Sequence, residues 1–97
     1  MISRHWIGIV RNDKVDEYIS HLESSVFPNL TKIEGLQNAY YLKRAVREGT
    51  EFLIVTEWDS FDAIRIFAGP DYEKAVIDPY AKTLMVSYDR IVKHYSI

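Results

Sequence analysis

The fold is decided by residues 51–70, which read EFLIVTEWDSFDAIRIFAGP. The first eight residues are rich in β-branched and aromatic side chains, which is typical of a buried strand. Asp59-Ser60 then supplies a helix N-cap, and apolar residues recur at every third position from Phe61. Gly69-Pro70 is a strong helix terminator. The stretch therefore predicts a strand that runs directly into a capped helix.

Three further elements are predicted upstream. Arg4–Val10 is short, β-branched and aromatic, and predicts a buried strand. Between Val15 and Val26 apolar residues recur with helical spacing, and Asp13 precedes them as a candidate N-cap. Leu36–Val46 predicts a strand, and the polar turn Arg47–Thr50 joins it to the strand at residues 51–58. Two strands separated by so short a turn predict a β-hairpin.

The downstream part is less regular. Asp71 begins a predicted short helix through Val76 that ends near Asp78-Pro79, and residues 80–88 follow no clear pattern. Residues 89–97 alternate and predict a terminal strand. The order βαββαβ predicts an α+β, ferredoxin-like fold, a four-stranded antiparallel sheet with both helices on one face. Ninety-seven residues suffice for one domain, 1–97.

The strongest strand is apolar on both faces. Phe52 and Ile54 point to one side of it, and Leu53 and Val55 point to the other. Two helices cover only one face of such a sheet, and an antiparallel sheet normally leaves the other face to water. We therefore expect a homodimer, in which two sheets pack face to face across a two-fold axis.

Composition excludes several functional classes. The net charge is −2, acids and bases are well mixed, and no basic cluster marks a nucleic-acid surface. The chain has no cysteine, which excludes disulfides, thiolate catalysis and cysteine-based zinc sites. Its three histidines do not follow metal-ligand spacing, so no metal is expected.

Other classes lack their sequence signals. No apolar run is long enough for a membrane helix, and no signal-peptide pattern opens the chain, so we expect a cytoplasmic protein without a membrane partner. GxGxxG, Walker and GxSxG motifs are absent, and no nucleotide or flavin site is expected.

Four strings resemble the antibiotic biosynthesis monooxygenase family of dimeric α/β-barrel proteins. They are RHW at residues 4–6, EFLIVTEWDS at 51–60, FDAIRIFAGPDYEKAV at 61–76 and VKHYSI at 92–97. The resemblance covers nearly the whole chain and implies the same fold and homodimer. It also implies a ligand cavity between the sheet and the helices of each subunit. Members include cofactor-independent oxygenases of polycyclic phenols or quinols, as well as haem-degrading enzymes.

The haem-degrading branch of that family carries an asparagine on the first strand, a tryptophan ending the third and a histidine on the second helix. Trp58 matches the tryptophan. The first strand has no asparagine, and the segment around Ala75–Ile77 has no histidine. We therefore do not predict haem degradation, and we expect no cofactor.

By analogy with the family, Trp58 would form part of the cavity wall, with Thr56 in phase on the same strand. His94 on the last strand is the candidate catalytic base, which would deprotonate a phenol so that the ring can pass an electron to oxygen. The alternative for His94 is a structural role, as a strand-end histidine hydrogen-bonded to a tyrosine or a carboxylate.

Three further residues are candidate ligand contacts. Tyr72 and Tyr80 flank the break at Pro79, where irregular backbone tends to border clefts. His5 lies on the first strand, which the predicted topology places beside the last one. Core packing alone would also explain such aromatic residues.

Two functions remain open at this point. In the first, the chain is a cofactor-independent monooxygenase-like enzyme that acts on a small hydrophobic or aromatic molecule. In the second, it is a non-catalytic homodimer that binds a small ligand, or a degenerate family member. One fold hosts many activities, so the resemblance does not decide between them.

Overall fold

One layer of the structure is an antiparallel sheet. The protein is described by a computed structural model that covers residues 1–97. The strands are β1 (Ile2–Val10), β2 (Leu36–Ala45), β3 (Thr50–Trp58), β4 (Met85–Tyr88) and β5 (Lys93–Ser96). Their spatial order is β2-β3-β1-β4, and β5 also pairs with β1.

The last two strands share one edge of β1. β4 pairs with Gly8–Val10, and β5 pairs with Ile2–His5. They are therefore two halves of a fourth strand that is interrupted at residues 89–92. The predicted ferredoxin-like α+β fold is confirmed, with its fourth strand in two pieces. The sequence interpretation missed the first of these, because Met85–Tyr88 is only four residues long.

The second layer is helical and covers one face of the sheet. The first helix, α1, runs without a break through a 3₁₀ turn (Asn12–Lys14), an α-helix (Val15–His21), a π-helical turn (Leu22–Val26) and an α-helix (Phe27–Leu30). Two shorter helices follow, α2 (Phe61–Ala68) and α3 (Pro79–Thr83). None of these helices is long and apolar enough to cross a membrane.

The limits of α2 agree with the prediction. The Ser60 hydroxyl accepts a hydrogen bond from the Ala63 amide at 3.2 Å, and the Gly69 amide donates to the Arg65 carbonyl at 2.7 Å. Gly35, just before β2, has φ +94°, and a Cβ there would lie 2.5 Å from the Cβ of Ala63. Only glycine therefore allows this turn to pack against α2.

Two local predictions are wrong. Residues 71–76 form no helix. They are irregular and reach the sheet edge through an isolated bridge between Lys74 and Ile91. Asp78-Pro79 begins a helix rather than ending one: the Asp78 side chain accepts from the Ala81 amide at 2.8 Å. Aspartate at the N-cap followed by proline at N1 is typical of a helix start. The side chain at the N-cap accepts from a backbone amide of the first turn, and proline costs no hydrogen bond at N1 because the amide there has no partner within the helix.

The start of α1 also differs from the prediction. Asp13 makes no side-chain cap and lies inside the first turn. Its carboxylate still lies near the positive end of the helix dipole, which is a favourable position.

The two faces of the sheet differ. The face that points to the helices, here called the inner face, carries Trp6, Phe52 and Ile54, and most of the buried core packs on it. The opposite, outer face carries Leu42 and Leu53, and Leu42 is 57% exposed. A second copy over this outer face stays a prediction.

Candidate functional site

A cavity of about 650 Å³ lies between α1 and the inner face of the sheet. Its floor includes Arg4 and Trp6 of β1 and Ile54 and Thr56 of β3, and one wall is residues 76–81. Thirteen of the twenty lining residues are hydrophobic. A volume in the range of a few hundred to about 1,000 Å³ with a mainly apolar lining is typical of small-molecule sites.

The strand period explains why the floor combines apolar and polar side chains. Residues 4, 6 and 8 of β1 share the inner face, and they pair with residues 56, 54 and 52 of β3. Most of these positions are apolar, but position 4 is arginine. The sequence therefore puts one cation into a mainly apolar surface.

Arg4 is only 5% exposed, and uncharged groups hold it in place. Its Nη1 donates to the Tyr72 carbonyl at 2.5 Å and lies 3.0 Å from His94 Nε2. Its Nη2 donates to the Lys74 carbonyl at 3.1 Å, and the guanidinium lies 5.7 Å from the centre of the Phe67 ring. Burial lowers the pKa of Arg4 to about 10, which leaves it protonated at neutral pH.

His94 holds the Arg4 side chain in place through a hydrogen bond. A guanidinium has no acceptor, so His94 Nε2 must accept from Arg4, which requires a neutral imidazole. Burial and then the charge of Arg4 lower the pKa of His94, which favours that neutral form. Its ring packs edge-on against Phe61 and Tyr72. His94 is not part of the cavity lining.

A second histidine does line the cavity. His21 of α1 has only 16% of its side chain exposed, and its Nε2 lies 2.9 Å from Asp78 Oδ2. Burial raises the pKa of Asp78, but hydrogen bonds from His21 and the Ala81 amide outweigh it, and the net pKa is lowered. Asp78 is therefore ionised at neutral pH and orients the imidazole across the cavity wall.

Two tyrosines complete this end of the cavity. The Tyr80 hydroxyl donates to Glu17, and this hydrogen bond raises the pKa of the Tyr80 phenol. Tyr18 is 3% exposed and packs edge-on against Phe52, and burial raises the pKa of its phenol. The Tyr18 hydroxyl makes no hydrogen bond within the chain, yet no fully buried side-chain oxygen lacks a partner. This hydroxyl therefore reaches accessible space beside the cavity.

The structure divides the predicted ligand contacts. Thr56 and Tyr80 line the cavity, and Thr56 Oγ1 accepts from Trp58 Nε1 at 2.8 Å. Trp58 itself is fully buried beneath the cavity and stacks on Phe67. Tyr72 lies outside the lining, although its carbonyl holds Arg4. Of the four predicted contacts, Thr56 and Tyr80 therefore line the cavity, whereas Trp58 and Tyr72 do not.

His5 is placed apart from the others. It lies on the outer face of the sheet, where its Nε2 is 2.8 Å from Ser3 Oγ and its ring is 4.9 Å from that of Tyr95. The sheet separates it from the cavity. No group of three or more His, Cys, Asp or Glu side chains lies close enough together to hold a metal ion.

No family model matches the sequence, and no curated protein matches it in a sequence comparison. Solved structures do match its backbone. A Bacillus cereus protein assigned provisionally as an antibiotic biosynthesis monooxygenase superposes with a TM-score of 0.67 at 16% identity, over 99% of this chain and 91% of that one. The fold is that of the antibiotic biosynthesis monooxygenases.

A second match agrees with this conclusion. The Streptomyces coelicolor monooxygenase ActVA-Orf6, solved with the ligand nanaomycin D, superposes with a TM-score of 0.63 at 18% identity. The match covers 97% of this chain and 82% of that one. At such identities the likeness establishes a shared monooxygenase-like fold, and the chemistry must be argued from this chain's own residues.

Sequence reasoning missed two residues of the site. His21 lies beside the apolar stripe of α1 rather than on it, a position typical of a solvated residue, but it pairs with Asp78, distant in the sequence, in the cavity wall. Arg4 was not considered as a site residue. The available signal was its position two residues before Trp6, on the same face of a buried strand.

Proposed function

We propose that the cavity binds a small aromatic molecule and that the chain acts on it as a cofactor-independent, monooxygenase-like enzyme. The observation that carries this proposal is the His21–Asp78 pair in the wall of a mainly apolar cavity. An apolar wall favours a ring system, and an oriented imidazole is a base that works near neutral pH.

The chemistry requires a proton acceptor first. Deprotonation of a phenol gives an electron-rich phenolate, which can pass an electron to oxygen. When the ring carbon that reacts is a CH₂ in the keto tautomer, its conversion to C=O consumes one O₂ and releases one water, so the substrate itself supplies every electron. The protein then needs to bind, deprotonate and exclude water, and general base catalysis contributes about 10²–10⁴-fold.

His21 suits the role of proton acceptor better than His94 does. Asp78 occupies Nε2 of His21, and Nδ1 has no partner within the chain. In His94, Nε2 is occupied by Arg4, and the ring lies outside the cavity lining. We therefore assign the base to His21 and a supporting position behind Arg4 to His94, which was the sequence-based candidate.

Oxygen uptake with the hydroxyanthrone dithranol tests this assignment, with the autoxidation rate in buffer subtracted. His21→Gln should lower kcat by about 100-fold or more, as expected for loss of a general base. His94→Gln, the matched histidine variant, should keep most of kcat. The reverse ranking would return the role of base to His94.

The second candidate function is ligand binding without turnover. It is favoured by the structural use of Asp78, whose Oδ1 caps α3 while Oδ2 holds α1 through His21. In this reading the pair fastens two helices together. Tight binding of dithranol with no oxygen uptake above the buffer rate would support this reading and exclude the enzyme.

We also propose that a second copy of the chain covers the outer face. Tyr40, Leu42 and Leu53 make this face apolar, although no helix of the chain covers it. Nine-residue strands about 30 Å long, four abreast at ~4.8 Å spacing, give a face of roughly 570 Å². Two such faces would bury roughly 1,100 Å², which exceeds the ~1,000 Å² expected of a specific interface.

A further inference from the structure

We infer that the ligand of this cavity carries an anionic oxygen, and that Arg4 pairs with it. The inference rests on the proposed function, because it names the chemical class of the molecule that occupies the same cavity. It adds a charge requirement that neither the apolar lining nor the His21–Asp78 pair imposes.

The first observation is that Arg4 has no countercharge in the chain. No carboxylate lies within ion-pairing distance of the Arg4 guanidinium, and the five ion pairs of the structure all involve other residues. A buried charge without a partner is costly in an apolar environment, and such charges are normally paired. A cation at 5% exposure on the floor of a cavity is therefore half of an ion pair whose other half is absent from the chain.

The second observation is that the guanidinium is held in a fixed orientation. Two backbone carbonyls and the lone pair of His94 accept three of its five N–H groups. Nε and one hydrogen of Nη2 have no partner within the chain. Since no fully buried side-chain nitrogen lacks a partner, the unpartnered Nε reaches accessible space. A free N–H of a guanidinium that is held in place donates well to one oxygen of a carboxylate or of a phenolate.

The third observation concerns the shape of the ligand. Arg4 and Gly8 are four residues apart on β1, and Gly8 pairs with Phe52 on β3. Measured along the strands, Arg4 and Phe52 are therefore about 13 Å apart on the cavity floor. Tyr18 packs on Phe52 at the far end, and Trp6 and Ile54 lie between. The ligand that fits has an anionic group at the Arg4 end, a ring over Trp6 and an acceptor within reach of Tyr18.

Isothermal titration calorimetry with two matched probes tests the inference. The probes are 2-naphthoate, which is anionic at pH 7, and 2-naphthamide, which has nearly the same shape but no charge. We expect wild type to bind naphthoate at least 10-fold more tightly than naphthamide. Arg4→Gln should abolish this preference, Arg4→Lys should keep part of it, and the exposed control Arg47→Gln should keep all of it.

The outcomes separate the two proposals. Equal binding of both probes by wild type would overturn the anionic ligand and leave the aromatic cavity standing. Failure of both probes to bind would overturn the proposed function and the inference with it. The wild-type comparison needs no variant, so the inference stays falsifiable even where Arg4→Gln does not fold.

A third probe distinguishes the two sources of the anionic oxygen. 2-Naphthol is neutral in solution at pH 7, so binding as naphtholate requires loss of its proton to the buffer or to a base such as His21. In either case naphtholate absorbs at a longer wavelength than naphthol, and Arg4→Gln would remove that change in absorbance. A naphtholate spectrum in the complex identifies an ionised phenol as the ligand, whereas naphthoate binding without naphthol binding identifies a carboxylate; weaker binding of both than of naphthamide overturns the inference.

Discussion

The inner and outer faces of the sheet are built from alternate residues of the same strands, yet they differ in kind. The inner face combines fully buried aromatic residues with a buried cation, and a cavity separates part of it from α1. The outer face places apolar side chains such as Leu42 at the surface and carries no buried charge. These features support the proposals of a small ligand over the inner face and of a second copy of the chain over the outer face.

This difference shows how one strand can serve two purposes. Because successive side chains alternate, a substitution on β1 or β3 affects one face and leaves the other in place. Variants matched across the sheet therefore test each face against the other. Two predictions compare the faces and a third concerns the cavity wall over the inner face, in order from the largest expected effect to the smallest.

The largest effect is expected for Phe52→Ala on the inner face. Phe52 is fully buried against Tyr18 and Tyr41, and its removal leaves a cavity in the core. We expect a loss of about 3–5 kcal/mol in the free energy of unfolding, measured by urea denaturation. Leu42→Ala on the outer face is the comparison. A similar loss there, at protein concentrations that keep the chain monomeric, would show that both faces are equally buried.

The next effect concerns assembly. Leu53→Lys places a charge at the centre of the outer face, where a partner sheet would bury it unpaired. We expect the dimer dissociation constant to rise about 100-fold or more, which sedimentation velocity would measure across a dilution series. Ile66→Lys, at an 82% exposed position on α2, is the matched control and should dimerise like wild type. If Leu53→Lys dimerises with wild-type affinity, the outer face is not the dimer interface.

The smallest effect is a pH dependence from Asp78. Its pKa is lower in the folded chain than in the unfolded one, so the folded state gains stability from it above the unfolded pKa. That stability is lost as the pH falls through the folded pKa, below about pH 4. Asp78→Asn should therefore lower Tm at pH 7 and narrow its gap from wild type at pH 3. A gap that is constant with pH would show that the ionised form does not matter.

The sequence predicted the fold where local signals were unambiguous. Ser60 and Gly69 mark both ends of α2 because cap and terminator act within a single turn. The β2–β3 hairpin followed from two adjacent apolar runs and a short turn between them. Residues 71–76 were given a helix from their pattern, but the backbone there bonds to Arg90 and Val92 at the sheet edge instead. Long-range pairing overrode local propensity.

The site was less predictable for a related reason. Thr56 and Tyr80 line the cavity; the family resemblance with the strand phase pointed to Thr56, and the proline break pointed to Tyr80. The His21–Asp78 pair joins residues separated by fifty-seven positions, and His94 reaches Arg4 across ninety. No spacing rule connects such positions, so only the folded backbone brings the chemistry together.

Gly8 has a consequence for how relatives of this chain could diverge. A Cβ at this position would lie 2.5 Å from the outer edge of the Trp6 ring, so the indole occupies the space of the missing side chain. Any larger residue at position 8 would push the indole away from its present place on the floor. Ligand length in such proteins would then be set by a residue that never touches the ligand, and a single codon would change which molecules fit.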